Sequence, residues 1–462
     1  MNGAAQNLRE ICRQYQALLL KEDEASITVA LADAPTHEMV EALRFTSQRQ
    51  VQVERWPQAR LEQHQQAEPS CSQSDKALPS ESVSALVDQI LLNAFQRRAS
   101  DIHIEPCAAG VRVRLRIDGV LQLLQTISGT QQAALIARLK ILGNLDIAER
   151  RLPQDGQFTL QLQGEQAAFR LSTLPVREGE KAVIRLLQSD VQDLALENLG
   201  MPPAALKHFR SALAQPQGLI LVTGPTGSGK TFTLYSGLSA LNQPGSNLCS
   251  VEDPIEIPLA GVNQTQINPR AGLDFQRVLR ALLRQDPDII MLGEIRDAES
   301  AEIAVKAAQT GHLVLSTLHT NSTTETLVRL GQMGIPGYLL ASALRLVIAQ
   351  RLVRRLCPHC RSPAEKIENL PVQIWPGALQ NWRAAGCDHC FSGYYGRLAL
   401  FEMLPINNAL QTAIAANASS EELSILAQRL ELNSLFIEGL HAVDRGETSL
   451  SEIYRVIGVD HG

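Results

Sequence analysis

The sequence lacks long apolar runs, a signal-peptide pattern and an excess of positive charge. Apolar runs such as residues 218–222 are far shorter than the roughly 20 residues that cross a bilayer. Residues 1–16 carry acidic and polar side chains where a signal peptide would be apolar, so we expect a cytoplasmic protein that reaches a membrane only through partners. A formal net charge of -6 gives no electrostatic reason to expect nucleic acid as the main ligand.

Aromatic residues are also scarce, at 4%, whereas apolar residues make up 45% of the 462 residues. This composition favours an α/β architecture over an all-β one, and the length predicts two to four domains. The cysteines do not predict a disulfide framework, because the compartment is expected to be reducing. Four of them are scattered and are interpreted as inert small residues: Cys12, Cys71, Cys107 and Cys249.

A stretch rich in Gln, Ser, Glu and Pro predicts a linker over residues 67–84. Residues 1–66, which precede it, have an α/β pattern with a helix predicted over residues 37–47. This segment contains no residue that looks catalytic. We therefore predict a small N-terminal domain that is separate from the rest of the chain.

Residues 85–195 predict an α+β domain. Its clearest strand covers residues 111–117, where apolar side chains alternate with arginines, and Asp118 with Gly119 predicts a hairpin turn. Residues 196–350 then cycle through strand, loop and helix in the manner of a parallel sheet with crossover helices. Four buried strands are predicted there, over residues 218–224, 247–253, 288–294 and 312–318.

Between the first of these strands and the next helix, the sequence fits the pattern G-x-x-x-x-G-K-[ST] of a phosphate-binding loop. Its glycines let backbone amides point at phosphates, and the following helix adds the positive end of its dipole. The lysine reaches the β- and γ-phosphates, and the last hydroxyl binds magnesium. The sequence therefore predicts a site for ATP and Mg²⁺ formed by Gly224, Pro225, Thr226, Gly227, Ser228, Gly229, Lys230 and Thr231.

Two acidic segments follow at predicted strand ends, where ligands of parallel sheets bind. Glu294 comes after the apolar residues 289–292 and is predicted to hold magnesium through water or to orient the attacking water. Glu252 lies in an acid-rich box with Glu256, and it is the preferred general base. The alternative for each residue is a solvated acid in a polar turn.

His319 follows the fourth strand, with Thr317 and Thr320 nearby. At the carboxyl edge of a parallel sheet it is placed to sense the γ-phosphate. A lone histidine at a strand end more often has a structural role, so the spacing leaves both interpretations open.

Two C-x2-C pairs, separated by 26 residues, predict a closed tetrahedral zinc site in a lobe over residues 351–405. The ligands would be Cys357, Cys360, Cys387 and Cys390. Four thiolates leave no open coordination position, so the metal is expected to hold together a lobe that cannot pack its own core. His359 and His389 lie close enough to be alternative ligands.

Taken together, GPTGSGKT, SVEDPIE, GEIRDAESAEIAVKAAQTGHLVLSTLHTN and the cysteine pairs resemble the secretion ATPase superfamily, which powers type II secretion and type IV pilus assembly. RASDIHIEP, RLPQDGQF, FRLSTLP and GEKAVIRLL match the domain that precedes the ATPase core in that family. The resemblance covers residues 85–460. Residues 406–462 look like the family's closing helical segment, and residues 1–66 match its small partner-binding domain more weakly.

The resemblance implies a hexamer of RecA-like ATPase cores, each preceded by a PAS-like domain that closes over nucleotide. By alignment with the family's motifs, Arg170 and Arg185 would neutralise the charge that develops on the transferring phosphoryl group. Family members act on an inner-membrane platform protein and on cytoplasmic-side assembly proteins, which implies a position at the inner face of the cytoplasmic membrane. The cysteine lobe disfavours a pilus retraction motor.

Two other functions remain open at this point. A RecA-like nucleic-acid translocase would use the same core, although the net charge argues against it. A scaffold that binds nucleotide without turnover would also retain these motifs. The sequence does not distinguish pilus assembly from protein secretion or DNA uptake.

Overall fold

The structure, a computed structural model, describes residues 17–22, 26–31, 35, 40, 50–56, 83–187, 194–368, 370–430 and 432–458. The chain divides into two compact units, Met1–Glu81 and Ser82–Gly462. No described helix combines the length and the hydropathy that a bilayer crossing requires.

The first unit contains a three-stranded sheet in the order β1-β2-β3. Its strands are β1 (Leu18–Glu22), β2 (Ser26–Leu31) and β3 (Gln50–Arg55). β2 pairs antiparallel with β1 and parallel with β3, and Ile27 and Val29 on one face of β2 are fully buried. The helix predicted over residues 37–47 lies, apart from Val40, outside the described residues, as does the predicted linker up to residue 82.

The second unit begins with a six-stranded antiparallel sheet in the order β6-β5-β4-β9-β8-β7. The strands are β4 (Asp101–Cys107), β5 (Gly110–Ile117), β6 (Val120–Ile127), β7 (Gln154–Leu162), β8 (Glu165–Val176) and β9 (Gly179–Leu187). Helices α1 (Val83–Gln96) and α2 (Gln132–Leu142) bury their apolar residues in the same core. The predicted alternation is confirmed, because Val113 and Leu115 are buried, and Asp118 and Gly119 form the turn with φ of 49° and 84°.

A seven-stranded sheet follows, in the order β12-β11-β13-β14-β10-β15-β18. Its strands are β10 (Gly218–Thr223), β11 (Leu248–Glu252), β12 (Val262–Gln266), β13 (Ile289–Leu292), β14 (Leu313–Leu318), β15 (Leu344–Leu356) and β18 (Tyr394–Pro405). The first six named are parallel, and only β18 runs antiparallel, at the edge beside β15. The four predicted buried strands correspond to β10, β11, β13 and β14, whose side chains are all buried. Their carboxyl ends therefore meet at one edge of the sheet.

Helices connect and cover these strands. They are α3 (Pro203–Leu213), α4 (Lys230–Leu241), α5 (Phe275–Leu282), α6 (Ala298–Gln309), α7 (Thr323–Gln332) and α8 (Gly337–Ala343). α5 presents an apolar stripe to the core, because Val278, Leu279 and Leu282 are buried there. Asp274 accepts a hydrogen bond from Arg277 N and thereby caps the first turn of α5.

The end of β15 leads into the cysteine lobe and the closing helices. A short antiparallel pair, β16 (Arg361–Pro363) and β17 (Trp382–Ala384), lies between the two cysteine pairs. The helices that follow β18 are α9 (Asn408–Ala415), α10 (Ser420–Gln428), α11 (Leu435–Asp444) and α12 (Leu450–Val456). Gly446 follows α11 with φ of 69°, a backbone conformation suited to glycine after the end of a helix.

The cysteine lobe contacts the first sheet of the same unit. Gly396 N donates a hydrogen bond to Asp118 Oδ2 over 2.9 Å, at the turn between β5 and β6. The guanidinium of Arg98 lies 3.9 Å from the ring centre of Tyr395, within the range of a cation–π contact. Phe391 packs against the core of the first sheet. Three contacts therefore join the loop after Cys390 to the domain that bears Arg170 and Arg185.

Candidate phosphate site and cysteine cluster

The predicted phosphate-binding loop lies between β10 and α4, at the carboxyl edge of the parallel sheet. Gly224, Gly227 and Gly229 have φ of 148°, 80° and 86°, which side-chain-bearing residues rarely adopt. A Cβ atom on Gly224 would lie 2.5 Å from the carbonyl oxygen of Gln350. The glycines are therefore required by the path of the loop, which ends directly at the first residue of α4.

Lys230 is folded back onto this loop. Its Nζ donates to the carbonyl oxygens of Gly224 and Pro225 over 2.8 and 3.0 Å. Burial lowers the pKa of Lys230 to about 8; Glu294 opposes this effect and Arg351 adds to it. A buried ammonium held only by carbonyl oxygens gains free energy when a phosphate anion replaces them. Thr231 is exposed beside it, as a hydroxyl ligand for a metal ion must be.

The structure brings Glu294 and His319 together. His319 Nε2 lies 3.0 Å from Glu294 Oε2, and Arg296 forms an ion pair with the other carboxylate oxygen. Burial acts to raise the pKa of Glu294, but the hydrogen bonds from Arg296 and His319 outweigh it and hold that pKa below its ordinary value. The carboxylate stays charged at neutral pH, so it can hold magnesium through water or orient a water molecule.

Glu252, the predicted general base, is only 2% exposed at the end of β11. Tyr235 donates to its Oε2, while Ser250 and Gln264 donate to its Oε1. Within the described part of the chain, no hydrogen bond or ion pair joins Glu252 to Lys230, Glu294 or His319. Both carboxylate oxygens are thus occupied by groups of the core, and Glu256 is exposed nearby.

Tyr235 was not singled out by the sequence. Its hydroxyl donates to Glu252 and accepts from the backbone amides of Glu256 and Ile257 over 3.2 and 3.3 Å. Burial and the Glu252 carboxylate raise the pKa of Tyr235. In the sequence, a tyrosine five residues after Lys230 looks like an ordinary core residue of the helix. No sequence signal therefore marks Tyr235 as the residue that holds the acid-rich box in place.

Arg170 and Arg185 lie in the first sheet, on β8 and β9. Arg185 Nε donates to Asp101 Oδ1 over 2.9 Å, and Arg170 Nη2 lies 3.8 Å from Asp155 Oδ1. The Arg185 side chain is 61% exposed, and the Arg170 side chain is 46% exposed. Among the residues that the structure describes, neither arginine has a hydrogen bond or ion pair with the phosphate loop, Glu294 or His319.

The four predicted cysteines converge on one point. Their sulfur atoms all lie within 4.8 Å of one another, with Cys357–Cys387 at 3.8 Å and both Cys360–Cys390 and Cys387–Cys390 at 3.7 Å. Tetrahedral zinc with Zn–S bonds of about 2.3 Å requires sulfur atoms roughly 3.8 Å apart, so the four thiols fit this metal. In the described part of the chain, His359 and His389 do not belong to this group of ligand atoms; their rings face each other at 4.8 Å.

The chain matches two known families. It matches the family described as "Type II/IV secretion system protein" over residues 76–455, and the "MshEN domain" over residues 5–67. The "Protein transport protein HofB homolog" of Escherichia coli (strain K12) is 55% identical over 459 residues, which cover 98% of this chain and 99% of that protein.

Two further relatives have more specific names. The "Type IV pilus assembly ATPase PilB" of Pseudomonas aeruginosa is 46% identical over 376 residues, or 80% of this chain and 66% of that protein. The "Type II secretion system protein E" of Klebsiella pneumoniae is 44% identical over 375 residues, or 80% of this chain and 75% of that protein.

Solved structures share the fold. The "Pilus Retraction Motor PilT and Bound ADP" superposes with a TM-score of 0.52 at 26% identity and covers 79% of this chain and 95% of its own. The Legionella pneumophila ATPase DotB reaches a TM-score of 0.61 at 21% identity, over 82% of this chain and 96% of its own. The second likeness concerns the fold alone.

Proposed function

Because the chain belongs to the type II/IV secretion system protein family, we propose that it is an ATP-hydrolysing hexameric motor that powers assembly of a type IV pilus or a type II secretion pseudopilus. The observation that carries this proposal is the position of Lys230 in a glycine-shaped phosphate loop, at the sheet edge where Glu294 meets His319. The named functions of the 46% and 44% identical relatives support it.

ATP with Mg²⁺ is the proposed substrate complex. Residues 224–231 hold its phosphates, with Lys230 released from the carbonyls of Gly224 and Pro225 as the phosphates bind. Thr231 and Glu294 would hold a Mg²⁺ ion, which would supply positive charge to the phosphates when bound. His319 contacts Glu294 and thereby responds to the group at the γ-phosphate position.

The assignment of the general base follows from the two carboxylates' environments. Glu294 is charged and partly open to solvent, whereas both oxygens of Glu252 are occupied by Tyr235, Ser250 and Gln264. The geometry favours Glu294 as the residue that orients the attacking water. Glu252 then acts mainly by fixing the acid-rich box, and its predicted role as base is tested below.

Arg170 and Arg185 are proposed to reach the nucleotide when their domain closes over a core, as the family resemblance implies. Their exposed guanidinium groups support this role, because each has room for an anion beside its carboxylate neighbour. In a hexamer the same two arginines can serve the core of an adjacent subunit.

Zinc is the proposed occupant of the cysteine cluster. Cys357, Cys360, Cys387 and Cys390 would saturate its coordination, so its contribution would be structural. The strands β16 and β17 are three residues long, and Leu379 between them packs in a core that is shared with β15, β18 and the closing helices; a metal would add a cross-link inside the lobe itself.

The domain limits predicted from the sequence are retained as proposals. Residues 1–66 form the small partner-binding domain and 67–84 the linker, followed by the PAS-like domain over 85–195 and the RecA-like core over 196–350. The zinc lobe then occupies 351–405 and the helical segment 406–462.

The proposed partners are an inner-membrane platform protein and cytoplasmic-side assembly proteins, which would place the motor at the inner face of the cytoplasmic membrane.

A turnover assay tests the motor. Purified full-length protein with Mg²⁺ and ATP, with and without the platform protein, is compared with Lys230→Ala under the same conditions. Hydrolysis that depends on Lys230 supports the proposal, and hydrolysis no greater than that of the variant, even with the partner present, rejects it. Duplex DNA is added in a parallel assay, because strong stimulation by DNA would instead identify a nucleic-acid translocase.

A further inference from the structure

Arg351 is a buried cation in β15, the strand beside β10. It is only 6% exposed. Its Nη1 donates to the carbonyl oxygen of Gln350 over 3.0 Å, and its Nη2 donates to O and Oδ1 of Asn321 over 2.9 and 3.2 Å. Among the described residues, no carboxylate lies within ion-pair distance of it. All of its observed partners are neutral.

This guanidinium lies between two loops of the phosphate site. On one side, a Cβ atom on Gly224 would lie 3.0 Å from Arg351 Nη1, so the first residue of the phosphate loop is in contact with the guanidinium. On the other side, Asn321 follows His319 by two residues. One planar group therefore joins the start of the phosphate loop to the loop that carries His319.

A second connection joins the same two segments from inside the sheet. Thr223, directly before the loop, forms a 2.6 Å hydroxyl contact with Thr320 and accepts from the backbone amide of Thr320 over 2.9 Å. The threonine pair fixes the strand ends, and Arg351 fixes the residues beyond them. Both attachments follow His319 directly, and on its other side Thr223 Oγ1 also donates to the carbonyl oxygen of Leu318 over 3.1 Å, so both chain neighbours of His319 are fixed.

A buried guanidinium with no carboxylate in contact is unfavourable, and here burial lowers the pKa of Arg351 although Glu402 and Glu325 oppose this effect from a distance, so its presence requires an explanation. Neutral residues could have filled the space beside Gly224 if packing were the only need. The rigid fork of arginine can reach Gln350 and Asn321 at once, which a lysine ammonium on a flexible stem does less well.

From this placement we infer that Arg351 is a positioning residue for ATP hydrolysis, which holds the His319–Asn321 loop against Gly224 so that His319 and Glu294 face the γ-phosphate. The inference rests on the proposed ATPase function. Arg351 acts through the loop and does not itself touch the reacting atoms.

The test compares Arg351→Lys and Arg351→Gln with Arg345→Gln in the full-length protein. Arg345 is a matched control, because it lies on the same strand, donates to carbonyl oxygens of Ser342 and Leu344, and packs against Gly218 at the far end of β10. We expect both Arg351 variants to lose about 10- to 100-fold in kcat with little change in KM for ATP or in ADP affinity. Arg345→Gln should retain wild-type kcat.

A double-mutant cycle separates positioning from a general loss of structure. If Arg351 acts through His319, Arg351→Gln combined with His319→Ala should lower kcat by far less than the product of the two single effects. Multiplicative effects, or an unchanged kcat in both Arg351 variants with an active wild type, would overturn the inference and leave the proposed function intact. Thermal melts identify a variant that is merely unfolded. Arg351→Lys retains the charge and most of the stem, so it still tests the inference if Arg351→Gln does not fold.

Discussion

Arg170 lies directly opposite Arg185 across strands β8 and β9, so two guanidinium groups occupy neighbouring positions on one face of the first sheet. Like charges in directly opposed positions destabilise a sheet unless an anion offsets them. Asp101 also lies directly opposite Arg185, on the other side of β9, and pairs with it. The two arginines share few acidic neighbours and stay about half exposed, so this surface can accept a further anion such as a phosphate.

The first prediction concerns this arginine pair. Arg170→Gln and Arg185→Gln should each lower kcat for ATP by about 10²- to 10³-fold, because each removes a charge that is proposed to stabilise the transferring phosphoryl group. Stability should change little, since both side chains are largely solvated. Steady-state kinetics and thermal melts measure the two effects. Arg177→Gln, at a more exposed arginine in the turn between β8 and β9, is the control that should keep wild-type activity.

The second prediction separates the two acidic segments. Glu294→Gln should abolish most hydrolysis, by about 10²-fold or more, while nucleotide binding is retained, because the variant keeps the shape and loses the charge. Glu252→Gln should instead lower the free energy of unfolding by about 1–3 kcal/mol, because its amide cannot accept all of the hydrogen bonds from Tyr235, Ser250 and Gln264.

Turnover assays and urea denaturation distinguish these outcomes. Tyr235→Phe is the matched partner variant, since it removes one donor to Glu252 and leaves the carboxylate in place. It should reproduce part of the stability loss. A Glu252→Gln protein that is fully stable but inactive would restore Glu252 as the general base.

The third prediction is a pH dependence of nucleotide binding. The pKa of Lys230 is lowered to about 8 by burial in the free protein, and a bound phosphate favours the charged form. Above this pH the free lysine is neutral and must take up a proton to bind. The affinity for ADP should therefore fall about tenfold between pH 7 and pH 9 and continue to fall at higher pH.

Calorimetry in buffers of different ionisation enthalpy measures this proton uptake directly. The number of protons taken up on ADP binding should be near zero at pH 6.5 and should increase as the pH rises through 8. Lys230→Arg serves as the control, because arginine stays charged across this range and its weaker binding should not vary with pH in the same way. A wild-type affinity that is constant from pH 7 to pH 9 would contradict the shifted pKa.

The fourth prediction concerns the metal. The purified protein should contain one zinc per chain, and Cys387→Ser should lose it, since three thiolates bind zinc more weakly than four. Hydrogen exchange should then increase in residues 391–396 and also at Asp118 and Arg98, which contact that loop. Cys107→Ser, outside the cluster, should keep the metal and the protection. Loss of zinc without any change in exchange would show that the site is not structural.

The sequence predicts the parts of the site that are local in the chain. The phosphate loop and the two cysteine pairs are contiguous patterns, and the buried strands β10, β11, β13 and β14 follow from their apolar runs. Parallel strand order then predicts that Glu294 and His319 lie at one edge, 25 residues apart in the chain.

What could not be predicted depends on contacts between distant segments. The Glu252 carboxylate points into the core because Tyr235 and Gln264 meet it there, and residue spacing contains no such information. Arg351 reaches Gly224 only because β15 pairs with β10, more than 120 residues after it. Arg170 and Arg185 were identified through the family resemblance alone, since exposed strand arginines have no distinguishing pattern.

Strand β15 also limits which insertions and deletions the protein can tolerate within that strand. Its residue Arg351 contacts the phosphate loop, Arg354 forms an ion pair with Glu452, and Cys357 follows its last residue. Since side chains alternate between faces along a strand, one residue inserted after Leu352 would turn Arg354 and every later side chain to the wrong face while leaving Arg351 in place. Tolerated insertions or deletions in this strand should therefore come in twos, and variants of odd length would separate the cysteine cluster from the nucleotide site.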